Sequence, residues 1–87
     1  MYELVKRILD KSRDANVDVL VAHDMVAAEI GHSDELKKAK EIINDKYDTI
    51  TKCRRLGDNE SIKTLCDLVE EGNPNKIRAF EDEIEKR

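Results

Sequence analysis

The sequence predicts an all-α fold: a small bundle of about five helices, with one long central helix over residues 34–56 and a buried helix over residues 17–30. Three observations carry this. Apolar residues recur at helical spacing along the chain, as in Ile62, Leu65, Cys66 and Val69. Gly31, Gly57 and Gly72 each follow such a run, where a helix needs a stop. The one strand-like stretch, VDVLV from Val17 to Val21, continues through MVAAEI, which is too long and too alanine-rich for a strand.

The first helix is expected from Tyr2 to Arg13, its stripe formed by Leu4, Val5, Ile8 and Leu9 and its turn by Asp14 to Asn16. The second, Val17 to Ile30, carries Val19, Leu20, Val21, Ala22, Met25, Val26, Ala27 and Ala28. A helix apolar on nearly every face reads as buried. The third, Asp34 to Leu56, opens on Ser33 as N-cap. Asp34 and Glu35 stand in its first turn, and Lys52, Arg54 and Arg55 in its last, as the helix dipole favours. Leu36, Ile43 and Ile50 recur at a seven-residue interval with Ala39, Tyr47 and Cys53 beside them, giving one seam of about 30 Å at ~1.5 Å per residue. The fourth helix is expected from Asn59 to Glu71. The fifth runs from Pro74 to Lys86 with Ile77, Phe80 and Ile84 inward; proline suits a first turn because its missing N–H would be unpaired there.

A chain of 87 residues reads as a single helical domain, residues 1–87, with a thin core. Its only aromatics are Tyr2, Tyr47 and Phe80, so Ile, Leu, Val and Ala must build the interior. Charge is unevenly spread: residues 1–32 hold four basic and six acidic side chains, residues 33–56 seven and five, residues 57–87 five and nine. The acidic C-terminal third would repel nucleic acid and attract basic partners. The N-terminal MYELVKRILDK has no uninterrupted apolar run, so no signal peptide is expected, and no stretch is long and apolar enough for a membrane span. With two cysteines and no disulfide framework, the expected location is a reducing cytoplasm.

Motifs that carry chemistry are few. AAEIGHSDELKKA partly resembles a helix-turn-helix: Ala27, Ile30 and Gly31 fit, but His32 stands where an apolar residue is wanted, and Lys37 and Lys40 occupy the later anchor positions. If this corner read DNA, Lys37, Lys38 and Lys40 would be its contacts, against Asp34 and Glu35 at the start of the reading helix. Glu29 and His32 have the spacing of a di-metal ligand pair, yet Gly31 interrupts them and the only other histidine is His23. Cys53 and Cys66 lack zinc spacing and are expected as free thiols, Cys66 on an apolar face. No phosphate loop or nucleophile–base pair is present, so no enzyme, cofactor or metal is expected.

The function expected from these features is that of a small non-catalytic helical protein acting through protein–protein interaction. The short, helical, highly charged, motif-free style resembles one common among small bacterial and phage regulators, inhibitors and immunity-type proteins. Two surfaces are candidates: the long seam with Leu36, Ile43, Tyr47 and Ile50, open to another protein or a second copy of the chain, and the acidic end with Glu81, Asp82 and Glu85. A DNA-binding regulator is the alternative.

Overall fold

The computed structural model describes residues 1–87 and is all-α, with six helices and no strand. They are α1 (Tyr2–Ala15), α2 (Val19–Ile30), α3 (Asp34–Asp45), α4 (Tyr47–Arg55), α5 (Asn59–Glu71) and α6 (Pro74–Glu85). The chain divides into two compact units, Met1–Asn44 and Asp45–Arg87.

The single long helix expected over residues 34–56 is not formed. It is interrupted at Lys46, whose φ of −112° and ψ of 26° leave the helical region. The preceding residues, Asn44 and Asp45, explain the site of the break: their short polar side chains compete for backbone groups and weaken a helix interior. Lys46 then acts as the N-cap position of α4, its carbonyl accepting from the Ile50 N–H at 2.9 Å.

In the first unit α2 packs principally on α1. Val5, Ile8 and Leu9 form the buried stripe of α1, and Ala22, His23, Val26 and Ala27 that of α2. The helix α1 runs two residues further than expected and stops at Asn16, which adopts the left-handed conformation that asparagine tolerates. The turn is tied by the Val17 N–H to the Ser12 carbonyl at 3.0 Å and the Ser12 hydroxyl to the Val17 carbonyl at 2.6 Å. Asp18 therefore becomes the N-cap of α2, with Val17 left outside the helix. Gly31 ends α2 at φ 86°, ψ 160°, a region open essentially to glycine alone. Ser33 caps α3 as expected, its hydroxyl accepting from the Leu36 N–H at 3.1 Å. Leu36, Ala39, Ile42 and Ile43 are the buried positions of α3.

In the second unit α4, α5 and α6 pack against one another pairwise. Ile50, Cys53, Ile62, Leu65, Cys66 and Ile84 are its fully buried side chains. Asp58 caps α5 by accepting from the Ser61 N–H at 3.1 Å, and Arg87 closes on the same carboxylate from the end of the chain. Asn73 caps α6 by accepting from the N–H groups of Asn75 and Lys76, with Pro74 in the first turn as expected. Both cysteines are buried and unbridged.

Candidate functional site

The helix expected to be buried is buried on one side only. Leu20, Val21 and Ile30 are 44%, 47% and 45% exposed, and they are three of the five large hydrophobics that face solvent. The reason is size: a unit of two or three short helices cannot surround a third one. Around the helix axis, Ala22, His23, Val26 and Ala27 point one way, while Leu20, Val21, Asp24, Met25 and Ala28 fall on the opposite arc. Of these five, Met25 is half-buried and the rest are exposed. The outward face of α2 is thus an apolar strip about 12 Å long from Leu20 to Ala28, at ~1.5 Å per residue, with one charged side chain inside it.

That charge is Asp24. Its side chain is 76% exposed, and its carboxylate lies 3.2 Å from Nδ1 of the buried His23; no lysine or arginine pairs with it. The far edge of the strip is different. Glu29 is held from α1 by Lys11 at 2.6 Å and Arg7 at 3.4 Å, and these two cations keep its carboxyl below the usual carboxylate range. On the α3 side, His23 and Asp24 share an open groove of about 490 Å³ with His32, Asp34, Lys37 and Lys40.

The residues predicted from sequence fall elsewhere. Leu36, Ile43 and Ile50 are buried within the chain, Leu36 and Ile43 on α3 and Ile50 on α4, so they are occupied by the fold itself and offer no surface; only Tyr47 of that seam is exposed. Glu81, Asp82 and Glu85 do come together, on the α6 wall of a groove of about 480 Å³ facing α4. Lys52 and Arg55 line the same groove, Lys46 neutralises Glu81 at 2.7 Å, and Lys52 donates to the Glu85 carbonyl. The acidic end is therefore a surface of mixed sign.

Lys37 and Lys38 are exposed on α3 and Lys40 is half-buried, with Asp34, Glu35, Glu41 and Asp45 exposed on the same helix. No three His, Cys, Asp or Glu side chains converge into a metal-holding group. Burial pushes the Cys66 thiol up to about 11 and raises Cys53 as well, the opposite of what a nucleophile needs. No helix is long and apolar enough to cross a membrane.

The apolar pattern of α2 predicts that its outward residues are core. The signal that marks them as a surface is Asp24, a lone charge in an otherwise apolar run, because an unpaired carboxylate seeks water and turns its own face outward. Compared with known proteins, the chain matches no family model, no curated protein and no solved structure.

Proposed function

We propose that the chain is a non-catalytic interaction protein, a small regulator or inhibitor of the cytoplasm, that docks to another protein through the outward face of α2. One observation carries the reading: Leu20 and Val21, two of the five large hydrophobics that face solvent, are neighbours on that face, and exposed Ala28 and half-buried Met25 extend them along about two and a half turns. Contiguous exposed apolar surface marks interaction sites, whereas single exposed hydrophobics are ordinary. The raised thiols of Cys53 and Cys66 favour binding over cysteine catalysis.

The test is affinity capture from the native host's lysate, with and without nuclease, using the wild-type chain, Leu20→Ser/Val21→Ser and Asp82→Asn/Glu85→Gln. The expected result is a near-stoichiometric, nuclease-resistant protein retained by the wild type and the α6 variant and lost by the α2 variant. Retention by the α2 variant with loss by the α6 variant moves the docking site to the acidic wall.

DNA binding is the second reading. It is favoured by the short corner of Gly31, His32 and Ser33 between α2 and α3, the length found in helix-turn-helix units. It ranks lower because the exposed lysines of α3 are matched by Asp34, Glu35, Glu41 and Asp45. Duplex DNA enriched in the same capture, and lost on Lys37→Glu/Lys38→Glu, would establish it.

A further inference from the structure

Resting on the docking reading, we propose that the outward face of α2 receives an amphipathic helix of a partner protein, and that this helix carries a lysine or arginine inside its apolar stripe to close on Asp24.

The argument starts from the one charge in the strip. Asp24 sits among Leu20, Val21, Met25 and Ala28, with no lysine or arginine of the chain paired to it and His23 Nδ1, at 3.2 Å, its one side-chain contact. Any occupant that covers these four residues also takes the Asp24 carboxylate out of water. A carboxylate covered without a counter-charge weakens binding, and one that meets a cation strengthens it and fixes register. Asp18, the exposed N-cap residue at the start of the same helix, adds a second carboxylate with no basic partner. Lys37 and Lys40 line the same open groove as Asp24 from the α3 side, but neither closes on Asp24, and Asp34 stands beside them. The partner must therefore bring the cation.

The same charge argues against a second copy. The midpoint of α2, Val19–Ile30, falls between Asp24 and Met25. In a two-fold pairing that covers the whole strip the axis lies at its centre, each residue there meets its own copy or its immediate neighbour, and the two Asp24 carboxylates are brought together. Dimensions agree. The strip is about 12 Å long and one helix wide, about 10 Å, well short of the roughly 800 Å² per partner of a stable globular interface. It matches about two and a half turns of a single helix laid along it, the helix-on-groove mode of peptide recognition.

The test uses the full-length chain and two synthetic helical peptides with identical leucine stripes, one with a central lysine in the stripe and one with a central glutamate. Backbone amide shifts are followed by NMR at increasing peptide concentration. The expected result is that the lysine peptide moves the amides from Leu20 to Ala28 and binds at least about tenfold more tightly than the glutamate peptide, a difference of about 1.4 kcal/mol. Asp24→Asn should erase the preference and Asp24→Lys reverse it; Asp24 is exposed, so both variants keep the fold. Equal binding of the two peptides at α2, or a preference indifferent to Asp24, overturns the cationic partner while leaving the docking face intact. Concentration-dependent shifts of the same amides without peptide identify a second copy as the occupant and overturn the inference in the same limited way. Shifts confined to other helices, or none with either peptide, overturn the inference and the docking reading together.

Discussion

Lys11 Nζ lies 2.6 Å from Glu29 Oε1, joining the middle of α1 to the last turn of α2, and Arg7 reaches the other oxygen of the same carboxylate at 3.4 Å. This clasp joins the two helices beside the face of α2 that buries Ala22, Val26 and Ala27. Its energy is small because both ends are partly exposed and screened.

The clasp predicts an acid-sensitive contribution. The cations lower the Glu29 carboxyl below its ordinary 4.5, so the folded state binds that proton less readily than the unfolded chain. The stabilisation is therefore fully present above pH 4.5 and is lost as pH falls through the folded value. Thermal melts of the wild type and Glu29→Gln between pH 7 and pH 3 should show a lower Tm for the variant at neutral pH. The gap should narrow as pH falls below 4.5, and a gap that stays constant from pH 7 to pH 3 would place the contribution elsewhere.

Gly31→Ala should destabilise the fold by about 1–3 kcal/mol, measured as a lower urea midpoint with an unchanged slope. The cause is conformational, since a Cβ at Gly31 meets nothing within 4 Å while the backbone stands at φ 86° and ψ 160°. Asparagine does not rescue it: Asn tolerates the left-handed helical region, and ψ here lies far outside that.

Leucines on two sides of the first unit should behave oppositely. Leu36 is fully buried, and Leu36→Ala should cost about 2–5 kcal/mol, enough to unfold much of a small chain. Leu20 is half exposed, and Leu20→Ala should stay within about 1 kcal/mol of wild type while removing docking. Denaturation midpoints of the two variants separate a side chain that holds the fold from one that serves its surface.

That contrast also marks how far the sequence could be read. The caps and stops were legible because they are local: Ser33, Gly72 and the Asn73–Pro74 corner each act on groups within a turn of themselves. The break at Lys46 was not legible from periodicity. A one-residue interruption leaves the seven-residue interval of Leu36, Ile43 and Ile50 intact, and all three are buried whether or not the helix is continuous. The polar pair Asn44 and Asp45 was the better evidence. For α2, pattern alone cannot tell an interior helix from one with an unpartnered face, because both are apolar all round. The position of Asp24 separates them.

The cysteines give the last expectation. Cys66 is buried on α5, with its thiol pushed up to about 11, and Cys53 is buried on α4 and raised in the same direction. Desolvation is the first cause at both, with Asp67 next at Cys66 and Asp58 next at Cys53. Thiolate is the reactive form, so iodoacetamide at pH 8 should leave the native chain unlabelled over minutes and label both positions once denaturant is added. Because the folded thiols hold their protons more tightly than the ordinary value of 9.0, their contribution to stability is complete below pH 9.0 and is lost as pH rises through the folded values, for Cys66 about 11. Cys66→Ala and Cys53→Ala should each flatten the alkaline limb of the stability curve. Rapid labelling of either cysteine at pH 8 in the absence of denaturant would show that its helix opens to solvent and that the second unit is less tightly packed than its buried residues imply.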